Sequence, residues 1–451
     1  MEDETDSADR SPRHQGHVPK RVWATALTLA FFGCGGSFAA TAPLGAGPAG
    51  SFRRPVSYPI SRDGTPFSIA IGDLNGDGSS DLVAGDLGGT VAVLLNRGDG
   101  RFQAKRTYRV GQLAELVKLR DLNGDGKLDL ATIDRDTSSV STLLNRGDGS
   151  FDSRRTYTTG RRPRSLAIGD LTGDGKPELV TANAYLSEPD HRNPGTVSVF
   201  VNKGDGTFRT KVDYHPGKFP RSVALRDLNA DGKLDVATAN VDANTASVFM
   251  NRGKGVLEPR RDYRVGRAPG ALAIGDLNGD GNPDLVTLSP STEKVSVLIN
   301  SGRGSFRPPR SYRAVPPDAL PPHIGPPLTL AIGDLNGDGR PDLETVSECS
   351  SAIAVLNNRG DGTFEENIDY RTACATSVAI GELNGDDKND LATVNSSAPS
   401  PRVDSIYVFI NRPGRCTVQP VVSRSLAAAK SALVRANCGV GTIRLRNSRR
   451  G

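Results

Sequence analysis

The sequence predicts an all-β fold: a seven-bladed β-propeller of four-stranded blades, closed by the N-terminal strand, with a small C-terminal αβ tail. Three observations lead there. Glycine (51) and proline (30) are abundant among 451 residues, while helix-forming runs are scarce and short apolar runs alternate with turn residues. One acidic phrase, typified by "DLNGDGKLDL" (Asp121 to Leu130), occurs seven times, starting at Asp73, Asp121, Asp170, Asp227, Asp276, Asp334 and Glu382. The intervals are 48, 49, 57, 49, 58 and 48 residues, a period that suits a propeller or similar array.

The elements follow in chain order. Residues 1–42 read as a signal peptide or signal anchor. Lys20 and Arg21 precede "VWATALTLAFFGCGGSFAATA", an apolar, glycine-interrupted core whose "SFA" (Ser37 to Ala39) offers small residues for cleavage. A cleaved secretory signal, a lipid-modified Cys34 and an uncleaved anchor all fit; each implies a secreted, cell-surface or otherwise extracytoplasmic protein. Residues 43–50 are a linker, and 51–412 are the repeat array.

Within each unit the order is constant. A strand such as "SIAI" (Ser68 to Ile71) enters the acidic loop, and a second such as "DLATI" (Asp129 to Ile133) leaves it. A third, "SVSTLLN" (Ser139 to Asn145), runs into the turn "RGDGSF" (Arg146 to Phe151), and a fourth ends near Tyr157. Four short strands make one blade. The seventh unit stops after its third strand, "IYVFIN" (Ile406 to Asn411), whereas "GSFRRPVSY" (Gly50 to Tyr58) stands alone before the first. That isolated strand completes the last blade and closes the ring, which removes free sheet edges.

The loop has the ligand chemistry of a hard cation. Asp121, Asn123, Asp125 and Asp129 occupy positions 1, 3, 5 and 9, all with oxygen donors, and their number and charge suit calcium. Gly126 at position 6 permits the positive φ that turns the chain. The EF-hand's bidentate Glu at position 12 is absent, since Ala84, Thr132, Thr181, Thr238, Thr287, Thr345 and Thr393 stand there in apparent strands. Without a metal the same stretch would be a polar β-turn.

These phrases, among them "AIGDLNGDGSSDLV" (Ala70 to Val83) and "AIGDLNGDGNPDLV" (Ala273 to Val286), resemble FG-GAP (VCBS-type) repeats, which build the integrin-α-like calcium propeller. The resemblance covers roughly residues 50 to 412. It implies calcium in up to seven loops. By position, the first set is Asp73, Asn75, Asp77 and Asp81, and the fifth is Asp276, Asn278, Asp280 and Asp284. The sixth is Asp334, Asn336, Asp338 and Asp342. The fourth, Asp227, Asn229, Asp231 and Asp235, carries Ala230 in place of a glycine. The third, Asp170, Thr172, Asp174 and Glu178, departs at two positions. The seventh, Glu382, Asn384, Asp386 and Asp390, departs most, with Asp387 replacing the turning glycine.

Other motifs point to structure before function. Arg-Gly-Asp occurs at Arg97 to Asp99, Arg146 to Asp148 and Arg359 to Asp361, but sister positions read "KGDG", "RGKG" and "SGRG". Interchangeable residues around fixed glycines describe a hairpin turn. Beyond the signal only His191, His215 and His323 remain, and no nucleophile–base constellation or P-loop is present, so no enzyme is expected. The formal charge of +5, with both signs interspersed, argues against nucleic acid.

The irregular connections lie at the blade ends opposite the acidic loops. They hold Tyr185, His191 and His323, a ligand face or proline-rich filler. Of five cysteines, Cys34 lies in the signal; the others pair locally as Cys349–Cys374 and Cys416–Cys438. Residues 413–451, with "CTVQPVVSRSLAAAKSALVRANCGVGTIRLR", resemble part of a PASTA domain, a type associated with cell-wall peptidoglycan; a disulfide-stapled tail is the plainer reading. The expected function is a monomeric, calcium-stabilised, non-catalytic module for a protein or cell-envelope partner. A carbohydrate-binding or polysaccharide-processing role, lectin or lyase-like, is the alternative.

Overall fold

The structure, a computed structural model, describes residues 55–61, 66–184, 195–314, 329–346, 352–371, 375–386, 388–395 and 404–411. The signal segment, the tail after 411, all five cysteines, Tyr185, His191 and His323 lie outside these residues. The described strands form seven four-stranded antiparallel sheets. In the first blade they are Pro66–Gly72, Asp81–Asp86, Thr90–Leu94 and Arg106–Arg109, hydrogen-bonded in sequence order. Five further blades repeat this plan.

The seventh blade takes its outer strand from the other end of the chain. Val56–Ser61 pairs antiparallel with Asp404–Phe409, Val56 facing Val408 and Tyr58 facing Ile406. Tyr58 also meets Phe102 of the first blade edge-on, ring centroids 5.3 Å apart. The ring is closed as the lone N-terminal strand predicts.

Side-chain alternation explains why the second strands are apolar almost throughout. In Asp81–Asp86, Leu82 and Ala84 point toward the seventh blade, while Val83 points toward the second. Both faces of the sheet are therefore covered, and each fully buried Leu or Val contributes ~1.5–3 kcal/mol. Seven apolar clusters result, one between each neighbouring pair of blades. Outer strands such as Arg155–Thr158 are exposed apart from a half-buried Tyr, which packs on the next blade.

One residue breaks this pattern. Glu344 occupies the register of Val83, Val180 and Val286, opposite Ala331 and Val355, and is fully buried. Neither carboxylate oxygen finds a hydrogen-bond partner among the described residues. Burial pushes its carboxyl up to about 8.

Candidate functional site

Each acidic loop is a tight turn held by its own side chains. Asp73 Oδ1 accepts the N–H of Gly76 (2.7 Å) and Oδ2 that of Gly78 (2.9 Å). Asn75 Oδ1 accepts the N–H of Asp77 (3.1 Å), and Asp77 Oδ1 that of Ser79 (2.8 Å). Asp81 Oδ2 accepts the N–H of Leu74 (2.8 Å). Gly76 and Gly78 have φ of 74° and 86°, which aims their N–H groups inward at Asp73. Positions 1, 3, 5 and 9 are thus drawn to the inside of one turn. The second, fifth and sixth loops repeat the same leading bonds through Asp121, Asp276 and Asp334.

The divergent loops keep the shape by substitution. Ala230 adopts φ of 61°, a left-handed conformation that costs a non-glycine residue ~1–3 kcal/mol, and Asp227 still holds Gly232 (2.8 Å). Glu178, one methylene longer than Asp, reaches Leu171 N–H (2.7 Å) and Thr172 N–H (3.1 Å). Glu382 spreads its two oxygens over Asn384, Gly385 and Lys388, each at 2.7 Å. Asp387 lies outside the described residues.

Position 9 differs in environment from the rest. Asp81, Asp129, Glu178, Asp235, Asp284, Asp342 and Asp390 are all fully buried. Burial raises the carboxyls of Asp81, Asp129, Asp284 and Asp342 to about 6 and that of Asp390 to about 7. Two N–H donors oppose that shift at Asp81, and the charges of Asp77 and Asp73 add to it. Asp77 itself is lowered, first by the N–H of Ser79. Each loop therefore joins exposed or half-buried carboxylates to a fully buried one, whose charged form burial disfavours.

The donor set fits a hard divalent ion. Every ligand atom is oxygen, and a carboxylate oxygen that accepts one N–H retains a further lone pair. A cation among these groups would offset the like charges around position 9. No cluster of three or more Asp, Glu, His or Cys side chains is gathered as a metal cage among the described residues, because the carboxylates are shared out over backbone N–H groups.

A further residue, which reading the loop alone misses, ties these turns into a ring. Asn145 ends the third strand of the second blade. Its N–H donates to Asp129 Oδ1 (2.7 Å), and its Nδ2 donates to Leu128 O (3.0 Å) and to Leu74 O (2.8 Å) in the first blade's loop. Asn202, Asn251, Asn300 and Asn358 reach the preceding blade's loop at 2.8 Å, and Asn411 does so at 3.0 Å. Asn96 closes the circle onto Leu383 O at 2.9 Å. The signal was present in the sequence, since Asn precedes every turn of the "RGDG" kind. Those turns are hairpins, bridged Asn145 to Phe151, and they sit on the neighbouring loop: Gly149 N–H donates to Leu74 O (3.2 Å).

Comparison with known families agrees with this architecture. The FG-GAP-like repeat matches residues 73–117, 121–181, 186–238, 227–287, 276–345 and 334–393, well over half of the chain. The chain belongs to the FG-GAP-like repeat family. No curated protein matches it in sequence. Among solved structures, this FG-GAP-like chain is similar to BBS1N, crystallised in complex with ARL6DN, at 12% identity and a TM-score of 0.54. That match covers 79% of this chain and 96% of the other. A lectin from Agrocybe aegerita that recognises non-reducing terminal N-acetylglucosamine is 21% identical, covering 67% of this chain and 80% of its own, with a TM-score of 0.47. At such identities the BBS1N likeness speaks for the fold alone.

Proposed function

We propose that this chain is an exported, non-catalytic interaction module whose ring is stiffened by calcium in the acidic loops and whose opposite end recognises a protein or cell-envelope component. The observation that carries the calcium reading is the physical link between loops. The position-9 carboxylate that would help hold an ion also holds the Asn whose side chain grips the preceding blade's loop. An ion bound in one loop thereby stabilises the joint between two blades as well as its own turn. The apolar clusters between blades keep the scaffold rigid, and rigid scaffolds commonly carry recognition on their variable loops.

Export fits both the N-terminal signal and the calcium concentrations outside the cytoplasm, where weak loops would fill. The carboxylates most suited to general acid–base work are engaged with loop N–H groups, which supports a binding role over catalysis. The deciding experiment is a thermal melt with calcium and with a chelator, beside a calorimetric calcium titration. Several equivalents bound and a steep fall in melting temperature on chelation are expected. An unchanged melt rejects the calcium reading.

A further inference from the structure

The same register position on the outer strand carries an acid in the third, fourth and sixth blades and a hydroxyl in the other four, at Thr107, Thr156, Ser311 and Ser57. Asp213 and Asp262 face Ser198 and Ser247 in the third and fourth blades. Each pairs with a cation two residues earlier: Lys211 with Asp213, and Arg260 with Asp262 at 3.1 Å. In the sixth blade Asn367 donates to Asp369 at 2.7 Å. The second blade has Thr156 at this position, opposite Ser141. Its cation, Arg154, donates to Val110 O (2.9 Å) across the gap to the first blade, as Arg260 of the fourth blade does to His215 O (3.1 Å) of the third, but Arg154 has no Asp two residues later to pair with.

That gap is a groove of about 520 Å³, lined among others by Arg109, Arg154, Thr137, Ser139, Thr156 and Thr158. The Arg109 guanidinium meets no hydrogen-bond or ion-pair partner among the described residues. The one acid in the lining, Asp134, is occupied: its oxygens accept the N–H groups of Gln112 (2.9 Å), Leu113 (3.3 Å), Asp136 (3.1 Å) and Thr137 (3.0 Å). The groove thus presents two guanidiniums and a row of hydroxyls beside a single carboxylate, Asp134, whose oxygens already accept backbone N–H groups.

We propose that the groove between the first and second blades binds an acidic saccharide, its carboxylate held by Arg109 and Arg154 and its ring hydroxyls by the Thr and Ser side chains. Guanidinium binds carboxylate as a planar fork, which distinguishes a uronate from a neutral sugar. Hydroxyls that both donate and accept suit a polyhydroxyl ligand over an apolar one. The volume falls in the range of small-ligand sites. This inference gives the interaction-module reading a ligand class and rests on it.

The test is calorimetric titration of the full chain with a β-1,4-linked glucuronate trimer and with its methyl ester, which removes only the charge. The acid should bind about 10-fold or more tighter than the ester, and Arg154→Ala or Arg109→Ala should weaken it by about 10-fold or more. Thr156→Asp installs the carboxylate that the third, fourth and sixth blades carry and should abolish binding with the melting temperature unchanged. Equal binding of acid and ester, no effect of Thr156→Asp, or equal binding of a tri-glutamate peptide overturns the proposal. Capture of a protein partner by the Thr156→Asp variant is read separately, so the groove fails alone if only these titrations fail.

Discussion

At the loop end of the ring every joint is made alike. An Asn on one blade grips a Leu carbonyl in the loop of the blade before it, from Asn145 on Leu74 round to Asn96 on Leu383. The outer strands differ from blade to blade. The third and fourth blades hold Lys211–Asp213 and Arg260–Asp262 pairs, whereas the second places Thr156 beside Arg154 and leaves a groove. The contrast separates two duties of one repeat. Positions that close the ring must be identical, because each blade has to fit both neighbours. Positions facing solvent on the outer strands carry no such constraint and are free to diverge into a site.

The comparison is broken most severely at the loop end. If calcium fills the loops with a Kd near ~0.1 mM at ~1 mM free ion, each contributes about 1.4 kcal/mol and six contribute about 8 kcal/mol. Chelation should then unfold the ring over a range where the calcium-loaded protein is stable, as read by thermal melting. Next in size is a single joint. Asn145→Ala strips donors from two buried carbonyls and should lower stability by about 2–3 kcal/mol in denaturant unfolding. Loss of cooperativity without loss of stability would argue against the clamp.

Between the ends lies Glu344, where the repeat register demands an apolar side chain. Glu344→Val restores what the first, third and fifth blades carry and should raise stability by about 1–3 kcal/mol. A destabilised variant would mean that this carboxylate has a partner it needs. The smallest effect belongs to the Arg-Gly-Asp turns. Asp148 is exposed and its side chain bonds only within its own turn, to Ser150 (N–H at 2.8 Å), so Asp148→Asn should change stability by less than about 0.5 kcal/mol and leave cell adhesion untouched.

Much of this molecule was legible before any coordinates. The period gave the number of blades, the alternation of apolar residues gave the strands, and the stranded "GSFRRPVSY" segment gave the closure, all of which the sheets reproduce. Positions 1, 3, 5 and 9 were legible because a tight turn forces alternate side chains to one side, and Asp73 to Asp81 lie there. The Asn clamp escaped a loop-by-loop reading because its partner, the Leu carbonyl, is a backbone atom about 70 to 80 residues away in most blades. Backbone acceptors leave no mark in a sequence. The role proposed for Thr156 has no mark in a linear pattern either, because it depends on Arg109, which a different blade supplies.

By itself, then, the sequence determined the architecture, since local turn chemistry and a strict period admit few other arrangements. Only the tertiary structure decided which residues meet across blades: the Asn ring, the stranded carboxylate of Glu344 and the paired arginines of the groove. Contacts of that kind depend on how neighbouring sheets seat against one another, and a linear pattern does not encode the distance between two blades.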